Sequence, residues 1–125
     1  MDLNQVTIPS LDLDRSVAFY LLLGLRLIVD ARPRYVRFEV PDGNSTLSLH
    51  LAEQLPSGSG ITVYFEDEDM DAKVSSLIDA GIKFDRLPED MTWLWREAHL
   101  SDPDGNRLII YHAGENRKDP PWKVG

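Results

Sequence analysis

The 125-residue chain carries a formal net charge of −8 and no cysteine. That length suits one domain, able to hide roughly two-thirds of the surface its unfolded chain exposes. The acidity argues against nucleic acid and anionic membrane as partners, and the missing cysteine excludes disulfides, thiolate metal sites and a cysteine nucleophile. Met1-Asp2-Leu3-Asn4 lacks the basic and apolar regions of a signal peptide. The longest apolar run, Val17 to Leu23, is too short to span a bilayer. A soluble cytoplasmic protein is expected.

Leu3 to Pro9 alternates, with Val6 and Ile8 on one face and Gln5 and Thr7 on the other, which predicts a strand. Asp12 or Asp14 is placed to cap a helix carrying Val17, Tyr20, Leu21 and Leu23, and Gly24 is its natural stop. Leu25–Asp30, Tyr35–Val40 and Thr46–Leu51 read as strands. The last two alternate clearly and are separated by the turn Pro41-Asp42-Gly43-Asn44. A stretch rich in Pro, Gly and Ser follows. Ile61 to Glu66 alternates again, and Asp69 is expected to cap a helix with Val74, Leu77 and Ile78 that Gly81 ends. Ile82–Arg86, Thr92–Leu100 and Arg107–His112 are the remaining strand candidates. Leu87 to Met91 reads as a loop, and the polar tail with Pro120-Pro121-Trp122 as an extended segment.

The order βαβββ is therefore written twice. Asp12 to Gly24 and Asp69 to Gly81 span the same interval (24 − 12 = 81 − 69 = 12), and Pro-Asp-Gly-Asn recurs at 103–106. Module one covers 1–53, a linker 54–60, module two 61–112 and the tail 113–125.

With "DLDRSVAFYLLLGLRL" in the first half and "SDPDGNRLIIYH" in the second, the chain resembles the glyoxalase / bleomycin-resistance / extradiol dioxygenase group, the vicinal oxygen chelate superfamily, over almost its whole length. "WLWREAHLSDPDGN" and "YHAGENRKDPPW" look like its glyoxalase-like subgroup. The resemblance implies an α+β fold in which two tandem βαβββ modules form a curved eight-stranded mixed sheet, with helices outside and a ligand on the concave side. It also implies a homodimer. The chemistry is left open, because this fold hosts isomerases, epimerases, dioxygenases, thiol transferases and antibiotic-binding proteins.

Enzymes of the group typically hold one divalent metal (Ni, Zn, Mn or Fe) with His or Gln, Glu, His and Glu from four strands. Carried over residue by residue, the first position is Gln5. The second is Ser48, reached by overlaying Leu47 on Leu108. The third is Thr62 or Tyr64, and the fourth is Ile109. Only Gln5 is a good ligand, so the usual metal site reads as degenerate. A rebuilt site would draw on Gln5, His50 and Glu66 or Glu97.

For acid–base work the residues single out His50, on the polar face of its strand, and Glu97, which desolvation beside tryptophan would suit to proton transfer. Gln5, Arg37, Tyr64, Glu66, Trp93, Trp95 and Tyr111 are the expected substrate contacts. Blander assignments stand beside these. His50 is equally a hydrogen-bonded histidine near a strand end, Glu97 a surface partner of Arg96, and Arg37 with Glu39 an internal ion pair. At least one tryptophan belongs to a core. The acidic run Glu66, Asp67, Glu68, Asp69 and Asp71 fits a helix N-terminus, and His99 and His112 are read as structural. Two functions follow. One is a glyoxalase-like lyase or isomerase acting on a carbonyl-bearing small molecule. The other is a bleomycin-resistance-type protein that binds an aromatic or cationic ligand without turnover. A metal-dependent lactoylglutathione lyase or dioxygenase would need the rebuilt site.

Overall fold

The structure is a computed structural model that describes residues 1–58 and 60–125; Ser59, in the expected linker, lies outside the described residues. The elements run β1 (Gln5–Ser10), α1 (Leu13–Leu23), β2 (Arg26–Ala31), β3 (Tyr35–Glu39), β4 (Thr46–Leu51), β5 (Thr62–Glu66), α2 (Met70–Asp79), β6 (Arg86–Asp90), β7 (Arg96–Ser101) and β8 (Arg107–His112), with a 3-10 turn at Gly114–Arg117. This is βαβββ twice, an α+β fold. The strands hydrogen-bond as two mixed sheets of four, in the orders β1-β4-β3-β2 and β5-β8-β7-β6. No helix among the described residues is long and apolar enough to cross a membrane.

By contacts the chain divides into one unit of Met1–Gly60 with Asp102–Asn106 and another of Ile61–Ser101 with Arg107–Gly125. In the first, Asp12 caps α1 by accepting the Arg15 N–H at 3.2 Å. Leu13, Val17, Tyr20 and Leu23 recur at helical spacing and are buried, as are Val36 and Phe38 of β3 and Leu47 and Leu49 of β4. Each such side chain contributes about 1.5–3 kcal/mol by leaving water. Tyr20 sends its hydroxyl to buried Asp102 at 2.7 Å. In the second unit Met70, Val74 and Leu77 of α2 are buried, with Ala98 and Leu100 of β7 and Leu108 and Ile110 of β8.

Both helices close alike. The N–H of Leu25 reaches the Tyr20 carbonyl and that of Ile82 reaches Leu77, each at 3.0 Å. Gly24 (φ 107°) and Gly81 (φ 101°) supply the left-handed residue that this closure requires. The starts differ. Asp69 precedes α2 but makes no side-chain capping bond, and its own N–H is instead held by Asp67 at 2.8 Å.

The strand registers are equivalent. Gln5 pairs with Thr46 and Thr62 with Arg107, offsets of 62 − 5 = 57 and 107 − 46 = 61. These are the offsets obtained by overlaying Asp12 on Asp69 and Leu47 on Leu108. Ser48 and Ile109 thus hold the same place in their sheets, opposite Thr7 and Tyr64.

Three sequence expectations are corrected. The strand expected at Ile82–Arg86 is Arg86–Asp90, so Leu87 to Asp90 pair with β7 rather than forming a loop. Pro88 has no N–H to donate; the ladder shifts register between Arg86 and Glu89, and the strand lies at the sheet edge, where proline is tolerated. The strand expected from Thr92 begins at Arg96, because Met91 and Trp95 bond to each other and turn the chain. The tail is not wholly extended, since Gly114–Arg117 form a 3-10 turn.

Candidate functional site

Period-two alternation divides each sheet into a helix-covered face and a second face. In the second unit the second face carries Glu97 and His99 on β7, Ile109 and Tyr111 on β8, and Tyr64 and Glu66 on β5, with Glu97 directly opposite Tyr111 and His99 opposite Ile109. Glu97 is 2% exposed. Its two oxygens are separately engaged, one accepting from Trp93 Nε1 at 2.8 Å and the other from His99 Nε2 at 2.9 Å. Accepting there places the imidazole proton on Nε2 and leaves the Nδ1 lone pair uncommitted. Trp93 reaches Glu97 over a tight turn that holds Leu94 at φ 67°, the one non-glycine residue with positive φ among the described residues. Such a conformation costs about 1–2 kcal/mol.

Next to this pair the rings of Tyr64, Trp95 and Tyr111 meet with centroids 4.7–5.9 Å apart, Trp95 stacked on Tyr111 and Tyr64 edge-on to both. Burial, with the Glu66 charge adding to it, pushes the Tyr111 phenol up, so it keeps its proton and remains a donor. Glu66 accepts the backbone N–H groups of Ala113 (2.7 Å) and Gly114 (2.9 Å) and lies near His112 and Arg117. Desolvation opposes its charge, but those two N–H groups and the nearby side chains of His112 and Arg117 outweigh it and hold the carboxyl below its ordinary value. Trp95 Nε1 donates to the Asn116 carbonyl at 3.3 Å, so the 3-10 turn is tied at two places.

The corresponding face of the first unit is a closed polar chain. Gln5 Nε2 donates to Ser48 Oγ at 2.8 Å, Ser48 Oγ and the Tyr35 hydroxyl are 2.6 Å apart, and Arg37 Nε donates to that hydroxyl at 3.0 Å. The Thr46 hydroxyl donates to Gln5 Oε1. The Ser48 bond and then Arg37 draw the Tyr35 phenol below its usual value. Arg37 and Glu39 do not pair with each other. Glu39 takes Arg26 at 3.1 Å instead.

Of the two acid–base candidates, then, Glu97 is buried within a hydrogen-bonded constellation while His50 is exposed near the end of β4. The imidazole beside Glu97 belongs to His99, a residue the sequence alone reads as structural. A signal for it was present, because Glu97 and His99 are two residues apart in a strand and must share a face. Arg96 does not hold Glu97. It binds Asp71 and Asp90, each at 3.0 Å. Trp95 packs against Ile109, Tyr111 and Ala113, whereas Trp93 is 45% exposed.

The side chains do not fit the family's metal. The first unit offers Gln5 and Ser48, bonded to each other, and the second offers Thr62 and the buried aliphatic Ile109. In the rebuilt set, the oxygens of Glu97 already accept from Trp93 and His99, and Glu66 accepts from backbone N–H groups. Among the described residues, no three His, Asp or Glu side chains converge as a metal site would need.

Among curated proteins none matches the sequence. Among solved structures, the chain is similar to a glyoxalase/bleomycin resistance protein/dioxygenase from Nocardioides, with 23% identity, a TM-score of 0.80, and coverage of 100% of this chain and 90% of that one. It is similar to a bleomycin-binding protein complexed with bleomycin, with 21% identity, a TM-score of 0.75, and coverage of 90% and 98%. Its likeness to lactoylglutathione lyase from Agrobacterium tumefaciens is 19% identity at a TM-score of 0.72, covering 89% and 92%. Identities this low establish the fold. The family description matches residues 2–110, and the chain belongs to the Glyoxalase/Bleomycin resistance protein/Dioxygenase superfamily.

Proposed function

We propose that the protein is a small-molecule lyase or isomerase that moves protons next to a carbonyl group, with His99 as the acid–base residue and Glu97 as its partner. The observation that carries this reading is the buried Glu97 carboxylate, oriented by Trp93 and hydrogen-bonded to His99 at 2.9 Å. In that arrangement Nδ1 of His99 takes the proton from the carbon beside the carbonyl, and Glu97 stabilises the imidazolium that forms. Where that carbon bears a hydroxyl, the C–H electron pair passes into an enediolate, the hydroxyl proton passes to the former carbonyl oxygen, and returning the abstracted proton to the former carbonyl carbon completes an isomerisation. Tyr111, still protonated, is a donor for the oxygen on which charge develops.

The test is proton–deuterium exchange in D2O, followed by NMR over a panel of 2-hydroxy ketones, 2-keto acids and thiol hemithioacetals. Wild-type protein is expected to exchange at least one of them. His99→Gln should lower the rate by about 100-fold or more, the scale of general acid–base catalysis, and Glu97→Gln by a smaller factor. A rate lost with His50→Gln and kept with His99→Gln would overturn the assignment.

A second reading, capture of a flat ligand without turnover, is favoured by one observation: Tyr64, 46% exposed, stands edge-on to the stacked Trp95 and Tyr111. Quenching of tryptophan fluorescence by an aromatic cation, with no exchange across the whole panel, would replace the first reading by this one.

A further inference from the structure

We infer that the cleft beside His99 is an oxyanion subsite, in which Arg86 and Arg107 hold a carboxylate or phosphate group of a small substrate. This deepens the acid–base reading and rests on it for the role of His99. The cleft measures about 340 Å³ and is lined by Asp85, Arg86, His99, Leu100, Ser101 and Arg107. That volume is within the range of small-molecule sites.

The registers explain why the two guanidinium groups flank the imidazole. Arg86 lies directly opposite His99 in the β6–β7 ladder, and Arg107 lies opposite Ser101 in the β7–β8 ladder. Residues directly opposite in antiparallel strands share a face, with Cβ atoms about 5 Å apart. Arg86, His99, Ser101 and Arg107 therefore present side chains to the same side of one sheet.

Their charges are poorly compensated by the protein. Arg15, Arg26, Arg32 and Arg96 each hold a carboxylate at 3.3 Å or closer, Arg117 has Glu66 at 3.8 Å, and Arg34 and Arg37, which lie outside the cleft, are in no ion pair among the described residues. Arg86 has only Glu89 at 3.9 Å, with both side chains more than half exposed, and Arg107 is in no ion pair among the described residues. The acidic residue of the lining, Asp85, accepts the Ser101 hydroxyl at 3.3 Å. The lining thus presents two guanidinium groups with no carboxylate closer than 3.9 Å to either, in a chain of net charge −8, while Glu97 lies behind His99 and is engaged by it. A planar guanidinium matches carboxylate and phosphate oxygens with paired N–H donors. An anion held there lies beside the His99 ring, which bonds Glu97 through Nε2.

The experiment titrates full-length protein with inorganic phosphate in one arm and pyruvate in the other, following the His99 ring signals by NMR. At least one anion is expected to bind saturably and shift those signals. A response to phosphate alone assigns a phosphate-bearing substrate, a response to pyruvate alone assigns a carboxylate, and either supports the subsite. Arg107→Gln and Arg86→Gln should each weaken binding about 10-fold, and Arg34→Gln, outside the cleft, should change it less than about twofold. Both cleft arginines are exposed, so their variants should keep the far-UV circular dichroism of the wild type. Failure of both anions to saturate, or equal weakening by Arg34→Gln, would overturn the subsite. Anion binding that depends on Arg107 without any deuterium exchange sinks the acid–base reading but not the subsite. Exchange that depends on His99, with neither anion binding, does the reverse.

Discussion

The two modules share element order, helix closure and strand register, yet the sheet faces turned away from their helices differ in kind. In the first, Gln5, Ser48, Tyr35 and Arg37 satisfy one another in a chain of bonds from 2.6 to 3.0 Å. In the second, the same strand positions hold Thr62 and Ile109, and the hydrogen-bonded polar pair is on β7, where Glu97 and His99 stand beside three aromatic rings. A duplicated scaffold constrains backbone pairing, since register follows from the apolar face and the turns. It leaves the opposite face free to diverge, because each side chain there is chosen by its neighbours and not by the ladder.

The largest expected effect tests whether the repeated turn does the same work twice. Asp102, 4% exposed, accepts from the Tyr20 hydroxyl, from the backbone N–H groups of Asp104 and Asn106, and from Asn106 Nδ2. Asp102→Ala leaves those donors unpaired and should cost about 3 kcal/mol or more in urea unfolding. The first module has Val40 where the second has Asp102, and the aspartate inside its own turn, Asp42, is exposed, so Asp42→Ala should change stability by less than about 0.5 kcal/mol. Equal losses would mean that the turns are equivalent after all.

The next effect asks where the units remain alike. Each contains a carboxylate held below its ordinary value: Asp104, opposed by desolvation but favoured by the Leu11 N–H, the serines and Arg15, and Glu66, favoured by the Ala113 and Gly114 N–H groups. For a carboxyl whose folded pKa is depressed, the stabilisation is fully present above its unfolded value. It is lost as pH falls through the folded one. Glu66→Gln and Asp104→Asn should each flatten the acid-side decline of stability and leave its slope near neutral pH unchanged. Stability measured by denaturant from neutral pH down to acid reports this, and an unchanged acid limb in either variant breaks the parallel.

The smallest effect sharpens the difference. Leu94, at φ 67° between the two tryptophans, has no counterpart among the described non-glycine residues of the first module. Leu94→Gly removes a steric penalty and should raise stability by about 1 kcal/mol. If the strained turn positions Trp93 on Glu97, exchange activity should fall at the same time. A gain in stability with unchanged activity would leave the strain without a role in the site.

The sequence by itself determined the duplicated βαβββ order, both helix stops and the overlay that puts Ser48 on Ile109, because these follow from apolar periodicity, glycine at positive φ and a fixed repeat interval. It also marked Glu97, Trp95 and Tyr111 as members of a candidate site. Tertiary structure alone decided which groups meet. Glu97 faces His99 and Trp93 rather than Arg96, because Arg96 points to the opposite face and finds Asp71 of α2 and Asp90 of β6. The edge strand starts four residues later than its apolar pattern suggests, and this shift sets Arg86 opposite His99. Such pairings depend on which strand supplies the missing backbone partners, a long-range property that no local pattern encodes.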